Sequence, residues 1–225
     1  MKTKKNYGVI AATIVLFFAC EKDGITITPI KNFISEGNVD GYIENLTTPV
    51  VHDYYSAPQG KSLCVGWNGN GYSMRGFLSF NIAEIMPASG KELIIDDAVL
   101  QVYESNTNMH PFDGSGTRVV NCYLVNYDTL DKTDYTQASL ADCGIIATWG
   151  YNVLEEHALK VTTPVNNFIK ANPTGSKIQF RLQFVPDGNV QTPSPLTNSM
   201  WLIFSGDETG KSDYRPKLTI KYHYR

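Results

Sequence analysis

From Ile178 to Phe184 apolar and polar residues alternate without a break, with Ile178, Phe180, Leu182 and Phe184 on one side and Gln179, Arg181 and Gln183 on the other. A period of two marks a β-strand with one face on a core and one in water. The run Leu218–Tyr224 repeats the pattern at the C-terminus. Gly76–Ile82 puts Leu78, Phe80 and Ile82 together, and Ala98–Tyr103 does the same for Ala98, Leu100 and Val102. Val119–Val125 and Met200–Phe204 are apolar on both faces, the pattern of strands packed between two layers. Turn formers separate these runs at Asn68–Gly71, Asp113–Gly116, Pro186–Asn189 and Ser205–Asp207.

One stretch reads as a helix. Thr163 is placed to cap it, Pro164 suits its first position, Val165, Phe168 and Ile169 form an i, i+3, i+4 stripe, and Pro173 ends it. Many short strands with one or two short helices predict an all-β fold, a jelly-roll β-sandwich of two antiparallel sheets. Composition agrees: 18 Gly and 11 Pro stand beside 13 Tyr and 10 Phe in 225 residues. With 42% hydrophobic and 18% charged residues the chain has material for a core and too little charge for a disordered tail. No Pro-, Gly- or Ser-rich linker divides residues 38–225, so they are expected to form one domain.

The N-terminus reads as an address. Lys2, Lys4 and Lys5 precede an uncharged apolar run from Val9 to Ala19, too short to span a bilayer, which needs ~20 residues. The run ends at Ala19-Cys20, which resembles a bacterial lipoprotein signal, although Phe17 and Phe18 depart from that pattern. That resemblance implies a signal peptide over 1–19, lipidation of Cys20 and a tether over 20–37, with the lipid as the membrane attachment. Glu21-Lys22-Asp23 resembles the acidic tether of Bacteroidota outer-surface lipoproteins, which implies an outer-membrane, cell-surface location.

A net charge of −3 argues against a nucleic-acid partner, which needs a clustered basic surface. Besides Cys20 there are Cys64, Cys122 and Cys143; an odd number cannot pair fully, and whether two of them form a disulfide stays open. No CxxC or HxxxH spacing offers a structural zinc site. No GxSxG elbow is present, and His52, His110, His157 and His223 read as ordinary polar residues. Asp96-Asp97, Glu155-Glu156 and Asp207-Glu208 are adjacent carboxylates; strand neighbours point to opposite faces, so Asp96 and Asp97 do not make a glycosidase pair. The chain is not expected to be an enzyme.

Asp40-Gly41-Tyr42-Ile43, Ser62–Gly66 and Arg75–Asn81, followed by Ile95–Tyr103, Thr148-Trp149, Val161–Phe168, Phe204–Glu208 and Arg215–Ile220, resemble in order the segments of the DNRLRE-type family. These are secreted jelly-roll modules related to disaggregatase-associated domains, some classed as carbohydrate-binding. The resemblance covers roughly residues 38–225 and implies a non-catalytic module whose partner is a polysaccharide. Sugar-binding jelly rolls often hold a structural calcium ion; Asp113, Asp187, Asp207 and Glu208 lie in Gly-containing turns, but turn chemistry explains them equally and no metal ligand is assigned. Sugar recognition needs flat aromatic faces and planar polar groups. Trp67 and Tyr72 flank the Asn68–Gly71 turn, Trp149 and Tyr151 share a second, and Arg75 lies outward by alternation as does Arg181; Trp67, Tyr72, Arg75, Trp149 and Tyr151 are the expected ligand-binding residues. Trp201 lies in an apolar strand and reads as core. The alternative is a structural or adhesive envelope protein that contacts protein or matrix partners.

Overall fold

A computed structural model describes residues 28–225 apart from 47, 53–54, 58–59, 68–71, 89, 109–117, 149–154 and 188–198. In chain order the strands are β1 (Ile30–Ile34), β2 (Gly41–Glu44), β3 (Val50–His52), β4 (Tyr55–Ala57), β5 (Gly60–Trp67), β6 (Ser73–Asn81) and β7 (Leu93–Asn108). There follow β8 (Val119–Val125), β9 (Ala141–Ala147), β10 (Glu156–Lys160), helix α1 (Thr162–Ala171), β11 (Lys177–Val185), β12 (Ser199–Phe204) and β13 (Lys217–Tyr224). Among the described residues all strand pairs are antiparallel, and the molecule is an all-β sandwich.

One layer runs β1-β13-β7-β10. The other is built from β12, β5, β6, β11, β8 and β9, with β2 and β3 added at β6 and β4 at β5. The 16-residue β7 belongs to both: its first part lies between β13 and β10, and from Glu104 onward it pairs with β12 across a bulge. The layers are therefore one continuous hydrogen-bonded path rather than two separate sheets. Between them Leu100, Leu218 and Ile220 meet Leu63, Leu78, Phe80, Leu124, Phe180, Leu182 and Trp201, while Val165 and Ile169 of α1 close one side. Phe80 and Phe180 pack edge to face with centroids 6.0 Å apart.

Alternation assigns the inward residues correctly, but the opposite face is not wet. Gln179 and Arg181, expected in water, are 1% and 6% exposed. The cause is a second apolar cluster in which Ile43, Phe77, Val125, Tyr127 and Tyr135 cover the outer face of β6 and β11. Gln179 is satisfied there by accepting from the Tyr127 N–H at 2.7 Å, and Arg181 donates to the Gln137 carbonyl at 2.6 Å and faces the Tyr123 ring. A third cluster, Tyr42, Cys64, Met74, Met200 and Leu202, covers the outer side of β5 and β12. In β8, expected to be buried on both faces, Val120, Cys122 and Leu124 are sealed while Asn121 and Tyr123 are half-buried.

Helix α1 starts one residue before the expected cap. The Thr162 hydroxyl donates to Asp97 and accepts from the Ala98 N–H at 2.9 Å, so the helix start is tied to β7 instead of closed by Thr163. The expected tether over 20–37 ends earlier than predicted. Ile30–Ile34 adds a strand to β13, Phe33 is buried in the main core, and the chain then turns through Gly37 to Asp40. Burial of Asp40 is completed by two backbone donors, Ser79 N–H at 3.0 Å and Gly206 N–H at 2.9 Å. Gly206 must be glycine, because a Cβ there would stand 2.0 Å from the Ser35 carbonyl oxygen.

Phe180→Ala is expected to cost ~3–5 kcal/mol in denaturant unfolding, the range for emptying a core aromatic site. Arg181→Ala is expected to cost ~1–3 kcal/mol, because the Gln137 carbonyl loses its charged donor; unchanged midpoints would show that the second cluster leaves Arg181 in water.

Burial raises the Asp40 carboxyl to about 6, against the opposing pull of its hydrogen bonds. The folded state thus binds this proton more tightly than the unfolded chain, so the contribution to stability is full below the unfolded pKa and is lost as pH rises through about 6. The wild type should lose on the order of 3 kcal/mol from this group between about pH 4 and about pH 7. Asp40→Asn should lack that component of the slope; parallel stability–pH curves for the two proteins would refute the assignment.

Candidate functional site

Strand register brings several connections to one end of the sandwich. Residues 68–71 join β5 to β6, 109–117 join β7 to β8, 149–154 join β9 to β10 and 188–198 join β11 to β12. The described residues that flank them are neighbours across the ladders: Trp67 lies opposite Ser199 and Ser73, Met200 opposite Asn108, Val119 opposite Val185 and Val120 opposite Ala147. Connections gathered on a rigid scaffold are where sandwich proteins usually place recognition.

At this end lies a polar cleft of about 230 Å³, lined by Ile145–Thr148 on one wall and Glu155–Ala158 on the other. Behind it is a buried carboxylate cluster. On β7 the inward stripe Ala98, Leu100, Val102 continues to Glu104, which is fully buried. On β10, Val102 pairs with His157 and the Glu104 N–H donates to the Glu155 carbonyl at 2.8 Å, so Glu155 and His157 share the Glu104 face. Glu156 points the other way and accepts from Gln101 at 2.8 Å and Tyr103 at 2.7 Å.

Oxygens of Glu104 and Glu155 and a ring nitrogen of His157 lie within 4.8 Å of one another. The Trp201 indole N–H holds Glu104 Oε2 at 3.2 Å, and His157 stands edge-on to the Trp201 ring at 5.1 Å. His157 Nε2 is 3.6 Å from Glu104 Oε2, beyond hydrogen-bond distance. Glu104 Oε1, Glu155 Oε2 and His157 Nε2 are buried without a hydrogen-bond partner. Burial raises the Glu104 pKa above the carboxylate value, with His157 and Trp201 pulling it back. The pair Glu155-Glu156 hid this site from sequence reasoning, because the true partner of Glu155 is 51 positions away in an apolar stripe. The available signal was Glu104 itself, a carboxylate in phase with Ala98, Leu100 and Val102.

The expected ligand-binding residues divide. Trp149 and Tyr151 lie outside the described residues, in sequence between the cleft walls Thr148 and Glu155. Trp67 and Tyr72 are half-buried on either side of residues 68–71. Trp67 lies opposite Ser73 on the ladder, and its Nε1 is buried without an acceptor. Arg75 is held inside the structure: its guanidinium reaches Asp187 Oδ2 at 2.5 Å, donates to the Tyr135 carbonyl and lies 4.0 Å over the Tyr135 ring. The Tyr135 hydroxyl in turn meets Ser73, opposite Trp67. Ser73 and Arg75 thus meet at Tyr135.

Among the described residues the turn carboxylates each have separate partners. Asp113 lies outside the described residues, Asp187 faces Arg75, Asp207 faces Lys61, and Glu208 accepts from the backbone N–H groups of Lys61, Gly210 and Lys211. Asp96 and Asp97 diverge, to His223 at 3.0 Å and to Lys160 at 3.0 Å. His52 pairs with Glu44 and stacks on Tyr42; His110 lies outside the described residues. Cys64, Cys122 and Cys143 are free thiols; burial pushes Cys64 up to about 12, and burial with the nearby Cys143 raises Cys122.

Arg75→Ala is expected to cost ~1–3 kcal/mol, since it strips a partly buried carboxylate and a carbonyl of their donor. Arg75→Lys should recover only part, because the forked contact to Asp187 and the Tyr135 carbonyl needs a guanidinium. A denaturant midpoint equal to wild type for Arg75→Ala would return this side chain to the ligand-binding surface.

No protein-family model matches the chain, and no curated protein matches it; the functional reading rests on the residues of this chain.

Proposed function

We propose that the protein is a lipid-anchored cell-surface module that binds a polysaccharide and performs no chemistry on it. The observation that carries this reading is the convergence of four strand connections and the polar cleft at one end of the sandwich. The cleft offers Thr148 and Glu155 for hydroxyl groups, with Ile145 and Ala158 as apolar surface for a sugar face. The sequence that joins its walls contains Trp149 and Tyr151, the ring types that stack on sugars. The segment order resembling DNRLRE-type modules points the same way.

Glu104 and Glu155 do not turn the cleft into a glycosidase site. Such an enzyme sets two carboxyl groups on either side of an accessible bond, and Glu104 has no exposed surface. Among the described residues no helix is long and apolar enough to cross a membrane. Attachment in this proposal comes from Cys20, which lies outside the described residues.

A glycan array probed with the full chain should give a positive class of polysaccharide; a blank array overturns the reading. With that glycan, Trp149→Ala should weaken binding roughly tenfold, the effect of a ring contributing on the order of 1–2 kcal/mol, while the melting temperature stays near wild type. Trp67→Ala should instead lower the melting temperature, since its indole nitrogen is buried.

Cys20→Ala should abolish incorporation of a radioactive fatty acid and membrane retention in cells. Equal labelling of both forms would discard the anchor.

A further inference from the structure

Three buried atoms of the cluster lack a hydrogen bond, two carboxylate oxygens and one imidazole nitrogen, supplied by Glu104, Glu155 and His157, with His157 Nε2 3.6 Å from the other Glu104 oxygen. Glu104 and Glu155 face one another across the β7–β10 ladder, where like charges directly opposite oppose pairing. Burial of an oxygen or nitrogen that lacks a hydrogen bond makes each group costlier still. A proton shared between the carboxylates would give each an oxygen partner but leave His157 Nε2 alone. A protonated His157 would serve a carboxylate without bridging both. A single divalent cation satisfies all three.

We propose that Glu104, Glu155 and His157 form a zinc-class cation site. The donor set decides the metal: mixed carboxylate and imidazole ligation suits zinc, whereas calcium takes oxygen ligands only. Trp201 supplies the outer contact that orients a ligand, through its N–H on Glu104 Oε2. Ligand atoms on a tetrahedral zinc stand roughly 3.3 Å apart, so the cluster, spread within 4.8 Å, closes on the ion by small side-chain rotations. Glu155 and His157 also line the cleft, so the site would lie directly behind it. The site ties β7 to β10 at the end where residues 149–154 attach. It does not depend on the glycan reading.

The full chain, stripped with a chelator, should bind one equivalent of zinc in a competition titration against a chromophoric chelator, and should melt at a higher temperature with zinc than with calcium. His157→Ala and Glu155→Gln should each weaken zinc binding by at least about a hundredfold, and Trp201→Phe by about tenfold, the usual reach of an outer contact. Cobalt in place of zinc should give visible d–d bands without the thiolate charge-transfer band that Cys143 would add. Folded wild type that binds no zinc, binding unchanged in both ligand variants, or a thiolate band would each overturn the proposal. Glu155→Gln, at a half-buried position, keeps the test valid if the other variants fail to fold. These titrations contain no glycan, so their outcome and that of the array are independent.

Discussion

Strand β7 is the constraint on which the other arrangements depend. Among the described residues it pairs first with β13 and β10 of one layer and then with β12 of the other, and it thereby fastens the two layers to each other. Its period of two is the source of the main core on one side: Ala98, Leu100 and Val102 are each fully buried. The same period then delivers Glu104 to that interior. A strand cannot turn one side chain outward without a bulge, and the register shifts on β7 fall at Asp96 and at Ser105, so none interrupts the stretch from Ala98 to Glu104. The buried carboxylate is thus a consequence of the geometry that builds the core.

The second feature is that the larger layer is covered on both faces. Its inner face meets β7 and β13, while its outer face carries two apolar clusters and the ion-paired Arg75–Tyr135–Asp187 group. This covering anchors one end of the sandwich. Ser73 and Arg75 on β6, Tyr135 after β8 and Asp187 after β11 tie three strands together beside the residues where the long connections begin. A surface that must hold a ligand in loops gains from such fixed roots, because the scaffold then restricts where the loops can go.

Much of the fold was legible because strands announce themselves by alternation, and β6, β7, β11 and β13 all do. What alternation cannot report is which face meets a further layer. Gln179 and Arg181 have the polarity of surface residues, yet Tyr127 and Tyr135, from a segment with no regular period, roof them over. The start of the domain was hidden for a related reason: in Ile30–Ile34 only Phe33 turns to the core, and Ile30 and Ile34 are exposed. The site was legible in part. Trp67, Tyr72 and Arg75 do lie at one end, and Arg75 is engaged there by Asp187 and Tyr135. Glu104, Glu155 and His157 were missed because ligands brought together by strand register have no fixed spacing in sequence, unlike the helical and turn motifs that do.

Magnitudes show why the cluster cannot be a neutral bystander. Two carboxylate charges within 4.8 Å of each other repel by at least ~3 kcal/mol at an effective dielectric of about 20, a large part of the ~5–15 kcal/mol that holds a typical domain together. Burial, with a smaller push from Glu155, raises the Glu104 carboxyl above the usual carboxylate value. Replacing Glu104 by an apolar residue would have ended the problem, since Leu100 and Val102 show what this stripe accepts. Instead the chain retains the acid, fixes one of its oxygens with Trp201 and leaves the other without a partner beside a second acid and an imidazole. An interior that orients unsatisfied donors toward one point is built around a charge that belongs there, and its position behind the cleft couples that charge to whatever the cleft receives.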